Sequence, residues 1–319
     1  MIRSDNSHVL DSLVLTRDLE LPGERSAFFA HVRLGRYSAV LRGAYVPATV
    51  WSEFDELHRH LARIVAATAL STDTRLVFSR ESAAALWRLP FVDPPPARLH
   101  VVSSTAAGGR SNSTIVRHTV GIPESIVEID GIAVTALART VVDLAATRAM
   151  PAAVTFADAA LRRTLHPIVG VPATTLTTND LRRELDELAF AHGSAKARRA
   201  IEFADGRADR PGESISRVSM RTARITPAEI QVELAGASGR TYTVDFFWRA
   251  FNVIGEFDGK AKYTDPTYLN GRTPQQAVYD EKTREDDLRA AKHGFTRWSW
   301  AIALSPAALR AHLARAGVR

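Results

Sequence analysis

The sequence predicts a multidomain protein of mixed α+β and α/β class. A helix-and-wing unit is expected over residues 1–50, an α+β body over 51–204 and an α/β domain over 205–319. Three observations carry this. At 319 residues the chain exceeds one average domain. Helical periodicity and strand-like β-branched runs alternate along it, as in domains that mix the two element types. The stretch ADGRADRPGES (204–214) has the Gly-, Pro- and charge-rich composition of a boundary.

Arg17 to Pro47 reads as a short helix with a β-wing. Ser26 is the expected cap of a helix carrying Phe28, Phe29 and Val32, and Arg42-Gly43 turns a hairpin between Tyr37–Leu41 and Ala44–Val46. Arg33, Arg36 and Arg42 punctuate it. Trp51 to Leu70 has the spacing of a helix through Leu57, Leu61, Ile64 and Val65, with His58 and His60 on it as exposed, packed or metal-binding histidines. A second helix follows Ser79 and ends before Pro90; Asp93-Pro94-Pro95-Pro96 is a stiff loop.

LHVVS (99–103) and TIVRH (114–118) read as strands. Around their polar connection Arg98, His100, Arg110, Arg117 and His118 lie without an acid among them, either a phosphate contact or a solvated hairpin tip. VEIDGIAV (127–134) has a hairpin turn at Asp130-Gly131. A helix with a stripe of Leu137, Val141, Leu144 and Ala145 follows, on which Arg139 and Asp143 pair at i, i+4. Further helices are expected from Pro151 to Arg162, after Thr177 or Thr178, over Lys196 to Phe203, and from Pro211 to Arg224. Glu213 sits in the first turn of the last of these, where a carboxylate suits the helix dipole; pairing with Arg217 is the plain alternative.

The densest chemistry lies in YTVDFFWRAFNVIGEFDGKAKY (242–263). Tyr242–Trp248 and Asn252–Lys260 read as the arms of a hairpin turning near Arg249–Phe251. Period-two spacing puts Glu256, Asp258 and Lys260 on one strand face, with Asp245 opposite Glu256. Opposed like charges destabilise a sheet. A divalent cation with hard oxygen ligands gives three neighbouring carboxylates a reason to coexist. A surface hairpin with scattered charges is the alternative. Thr273-Pro274-Gln275-Gln276 then has the form of a capping box, with Gly294 closing its helix. Glu281 and Arg284 interrupt an apolar stripe of Ala277, Leu288 and Ala291, and Trp298 and Trp300 alternate on a last strand.

Asp245, ten intervening residues and then Glu-Phe-Asp-Gly-Lys resemble the PD-(D/E)XK nuclease core, in its very-short-patch-repair-endonuclease-like branch. Val244 stands where the motif name has proline. The resemblance implies a restriction-endonuclease-like α/β domain and a Mg²⁺- or Mn²⁺-dependent DNA endonuclease, a hydrolase. Asp245 and Asp258 would be metal ligands, Lys260 the catalytic lysine, Glu256 a second candidate acid and ligand, and Glu213 the acid that many such nucleases draw from their first helix. EKTREDDLRAAKHGFTRWSW resembles the helix and strand after the catalytic hairpin, which makes Lys282, Arg284 and Arg297 phosphate-binding or structural. VRLGRYSAVLRGAYVP, and more broadly residues 20 to 165, resemble antitoxins of abortive-infection type IV systems, whose winged-helix segment is thought to bind DNA; Arg33, Arg36 and Arg42 are its candidate DNA contacts.

Composition narrows the classes. Without cysteine, disulfides and thiolate metal sites are excluded. A net charge of +6, with arginine far above lysine, tilts toward a polyanionic partner. The opening MIRSDNSHVLDSL lacks signal-peptide character and no apolar run is of bilayer length, so a cytoplasmic protein without membrane partners is expected. Two further readings stay open: a non-catalytic DNA-binding regulator or antitoxin whose nuclease-like domain only binds, and a module that pairs with a toxin or with itself.

Overall fold

In a computed structural model the chain is described over residues 12–71, 75–103, 111–118, 125–188, 192–259 and 273–319. It is a mixed α/β protein that divides into two compact units. One comprises residues 1–148 and 163–201, the other 149–162 and 202–319. The expected 1–50 region thus shares a unit with most of the expected body, and one helix of that body belongs to the C-terminal unit.

The N-terminal unit opens with β1 (Val14–Leu15), α1 (Glu24–Arg33), β2 (Tyr37–Leu41) and β3 (Ala44–Pro47). The strands form a three-stranded sheet in the order β1-β3-β2. Helix α1 starts earlier than Ser26 implies: Gly23, at φ +84°, is its N-cap, a conformation that costs glycine little. Phe28 packs against Tyr37 and Tyr45, tying helix to hairpin.

The periodic stretch Trp51 to Leu70 is two helices, α2 (Ala48–Glu53) and α3 (Glu56–Leu70). Asp55 breaks them, its side chain accepting the His58 N–H as the N-cap of α3. Then come β4 (Val77–Phe78), α4 (Arg80–Leu86), β5 (Leu99–Val102), β6 (Ile115–His118), β7 (Ile126–Ile129), β8 (Ile132–Thr135) and α5 (Leu137–Thr147). A five-stranded sheet runs β6-β5-β4-β8-β7. The hairpin at Asp130-Gly131 is present, both residues at positive φ. β5 and β6 are not a hairpin: they pair in parallel. The arginine–aspartate pair on α5 is buried, Arg139 Nε donating to Asp143 Oδ2 at 3.1 Å.

Helix α6 (Met150–Arg162) belongs to the C-terminal unit, whereas α7 (Thr178–Glu187), capped by Thr177, and α8 (Ser194–Phe203) lie in the N-terminal one except at the last two residues of α8. Asp158 explains the assignment of α6. Buried on that helix, it accepts from Ser214 Oγ and Arg217 at 2.7 Å each and from the Asp205 backbone at 2.7 Å. Arg217 is therefore committed to Asp158 rather than to Glu213.

The rest of the C-terminal unit is α9 (Pro211–Thr222), β9 (Glu229–Ala235), β10 (Thr241–Trp248), β11 (Val253–Phe257), α10 (Pro274–Ala290), β12 (Gly294–Trp298), α11 (Trp300–Ala303) and α12 (Pro306–Arg315). Its sheet runs β12-β11-β10-β9; β11 and β12 are parallel, and the chain between them includes α10. Val244, Phe247 and Ile254 form a core with Leu288 of α10. Phe246, Trp248 and Trp298 form a second aromatic group, and the Trp298 indole donates to Ser216 of α9 at 2.8 Å. Gly255 is flat for a reason: a Cβ there would meet Trp248 at 2.7 Å and Trp298 at 2.8 Å.

Several expectations shift here. β11 ends at Phe257, so Asp258 follows the strand instead of lying on it, and Lys260 lies outside the described residues. The capping box at Thr273 is formed, but α10 ends at Ala290, with Lys292 at φ +66° beyond its cap, before Gly294. Trp300 opens α11 and packs edge-on against Phe257 rather than continuing the strand. Among the described residues no helix is long and apolar enough to cross a membrane.

Candidate active site

The site is built on one row across the C-terminal sheet. β9 and β10 pair with Val244 opposite Val232 and Phe246 opposite Ile230, which sets Gln231 opposite Asp245. β10 and β11 pair with Phe246 opposite Gly255, which sets Asp245 opposite Glu256. Glu256 is in turn opposite Arg297 on β12. Gln231, Asp245, Glu256 and Arg297 thus step across four strands.

Helix α9 delivers a further acid to this row. Glu213, 1% exposed, accepts at Oε2 from the Gln231 amide at 2.9 Å and from the Asp209 backbone at 3.0 Å. The helix comes this close because residue 212 is glycine: a Cβ would lie 2.1 Å from the Phe257 ring. Burial, with Asp245 nearby, pushes the Glu213 carboxyl up to about 8. Asp245 accepts the Phe257 backbone N–H at 2.9 Å.

Asp245, Gln231 and Arg284 line a cleft of about 670 Å³, with Arg210, Arg240 and Tyr242 among its other walls. Asp209, Asp280 and Glu281 also line it, so the cleft mixes acids with arginines and can receive an anionic group only if something neutralises the acids.

The acids predicted from sequence do not all meet there. Glu256, 2% exposed, is engaged by arginines at both oxygens: Arg284 donates to Oε1 and Arg297 to Oε2, the latter at 3.2 Å. Glu281 joins both arginines, and Glu285 lies 3.3 Å from Arg297. Burial still raises the Glu256 carboxyl to about 7 against the pull of Arg284. Arg284 and Arg297 are thereby held in a half-buried ionic network around buried Glu256, Arg284 reaching the Thr243 carbonyl as well at 3.1 Å. Asp258 is half-buried and its backbone N–H donates to Trp298. Lys282, Arg33, Arg36 and Arg42 are exposed. Among the described residues no group of three or more His, Asp or Glu side chains is arranged to hold a metal ion.

Gln231, Arg210 and Arg240 are parts of this site that sequence reasoning missed. The available signal was the alternation of Ile230, Val232 and Leu234, which marks β9 and with it the place of Gln231.

The N-terminal unit holds a second polar cluster. His118 Nε2 lies 3.1 Å from His100 Nδ1, which lies 3.3 Å from Glu81 Oε2; Arg148 reaches the other Glu81 oxygen at 3.6 Å. The histidines therefore do have an acid beside them. His60 is fully buried between the Pro96 carbonyl at 2.9 Å and Ser82 at 3.0 Å. Burial holds His60 down at about 4 and His118 at about 3, so both are neutral at ordinary pH.

No family model matches the chain. Two uncharacterized proteins of Mycobacterium tuberculosis, from two strains, are each 27% identical to it over 141 residues, 44% of this chain and 48% of theirs. The chain thus spans about half the length of the curated relatives it matches.

Proposed function

We propose that the C-terminal unit is a divalent-cation-dependent phosphodiesterase acting on DNA, an endonuclease, with Asp245 and Glu213 as the protein ligands of Mg²⁺ or Mn²⁺. One observation carries the reading. Two carboxylates from different elements converge on Gln231: Asp245 of β10 falls opposite it in the sheet and lines the cleft, and Glu213 of α9 accepts its amide at 2.9 Å. That donor set suits a hard cation, which takes one or two carboxylates and completes its shell with water and substrate phosphate. Glu256 does not suit it, since Arg284 and Arg297 already neutralise it.

A bound ion would supply charge stabilisation for the phosphodiester and a more acidic water. The chain's own residues would do the rest. Asp245, anchored by the Phe257 N–H, presents a fixed carboxylate. Arg240 and Arg210 would hold phosphate oxygens at the cleft wall. Lys260, outside the described residues, would orient the attacking water, as the PD-(D/E)XK resemblance implies, and Asp258 would stand as an additional ligand. The helix and parallel strand that follow the β10–β11 hairpin support that reading. In the N-terminal unit the exposed Arg33, Arg36 and Arg42 around the β2–β3 hairpin suit a DNA contact of winged-helix type.

Supercoiled plasmid incubated with the purified chain and Mg²⁺ tests the proposal. Nicking that requires the ion and disappears in Asp245→Asn supports it. Absence of cleavage with Mg²⁺ and with Mn²⁺, together with binding that survives the substitution, would instead favour a binding-only regulator.

A further inference from the structure

Gln231 lies within β9 with φ at +52°, a left-handed conformation that non-glycine residues adopt only under strain. Its neighbours Ile230 and Val232 remain paired to β10, so the distortion is local to one residue. That residue falls opposite Asp245, and its amide donates to Glu213 at 2.9 Å.

We propose that Gln231 is a positioning residue for the acid pair, its strained backbone directing the carboxamide onto Glu213 Oε2 so that this carboxylate is held beside Asp245. The inference rests on the two-acid cation site proposed above. The chemistry of the side chain fits the task. A lysine or arginine here would neutralise the acids and remove their affinity for a cation. A glutamate would add a third negative charge beside Glu213 and Asp245. An apolar side chain would leave Glu213 Oε2 with the Asp209 N–H alone. A neutral donor fixes the carboxyl group without bringing a charge of its own to the place of the ion.

Gln231→Gly and Gln231→Asn in the full chain separate this role from a structural one, because both residues accept a left-handed backbone while glycine has no side-chain amide and that of asparagine is one methylene too short to reach Glu213. Mn²⁺ binding is titrated by calorimetry without substrate, and thermal melting is recorded beside it, with Glu213→Gln and Asp245→Asn as references. The expected result is a melting temperature equal to or above that of the parent chain and Mn²⁺ affinity weakened on the order of 10-fold, as for other groups that orient a metal ligand. Parent-like Mn²⁺ affinity in both variants would overturn the inference. So would lower melting accompanying the weaker affinity, which marks Gln231 as structural. Should the parent chain bind no Mn²⁺, or bind it undiminished in both reference variants, the cation site itself falls and the role of Gln231 falls with it.

Discussion

Asp245 on β10 accepts the backbone N–H of Phe257 on β11 at 2.9 Å. A side chain of one arm of the hairpin is thus fixed by the main chain of the other. This is a rigid anchor, because the Phe257 ring is itself buried against Gly212 and Trp300. The carboxylate proposed as a cation ligand is oriented by the sheet rather than by a flexible contact.

Asp245→Asn keeps an oxygen able to accept the Phe257 N–H and removes the charge. Plasmid nicking should fall by about 10²-fold or more, the scale of losing a principal charge-stabilising group, while urea unfolding changes little. Retained nicking would exclude Asp245 as a ligand.

Arg284→Ala strips Glu256 of one guanidinium partner while the acid stays buried. A loss of about 3 kcal/mol in unfolding free energy is expected, the lower end of the range for breaking a buried ion pair. The double variant Arg284→Met, Glu256→Met should be more stable than Arg284→Ala alone, since no buried charge is left uncompensated. Chemical denaturation of the three chains tests this ordering.

The two units should respond oppositely to pH. In the C-terminal unit the carboxyls of Glu213, Glu256 and Asp158 sit at about 8, 7 and 6, raised chiefly by burial above their ordinary 4.5, 4.5 and 3.8. The folded state holds protons that the unfolded chain releases. Stability from these groups is therefore fully present below their unfolded values and is lost as pH rises through 6 to 8. In the N-terminal unit His60 and His118 are depressed from 6.5 to about 4 and 3. Here the unfolded chain binds the extra protons, so stability is lost as pH falls below 6.5. Hydrogen exchange resolved by segment and corrected for intrinsic rate should show α9 and β11 loosening toward about pH 9 and α3 and β6 loosening toward about pH 5. A uniform response of both units would contradict this.

Gly212→Ala forces a Cβ against the Phe257 ring at 2.1 Å. Either the ring or α9 must move, at a cost of about 1–3 kcal/mol for overpacking. Because α9 carries Glu213, Mn²⁺ affinity should fall along with the melting temperature, unlike the Gln231 variants.

Much of this architecture is legible locally. Asp130-Gly131 specifies a tight hairpin, Thr177 and Thr273 specify helix starts, and the pattern of Tyr242–Phe257 gives both arms of the central hairpin with Asp245 opposite Glu256. What is not legible depends on contacts distant in sequence. The spacing of Glu256, Asp258 and Lys260 suggests one strand face, but β11 ends at Phe257, where Asp258 turns its N–H to Trp298. The clustering of acids suggests one cation, but Arg284 and Arg297, 28 and 41 residues away, take Glu256 for themselves. Arg217 stands one helical turn from Glu213 and still pairs with Asp158, 59 residues earlier. Side-chain periodicity constrains which residues share a face; it carries no information about which distant charge arrives there first.

The most direct test is the anomalous scattering of Mn²⁺ soaked into crystals of the chain. The account predicts a peak bridged by the carboxylates of Asp245 and Glu213, absent in Asp245→Asn. A peak centred on Glu256 with Arg284 displaced, or no peak in the cleft of a chain that still cuts DNA, would contradict it.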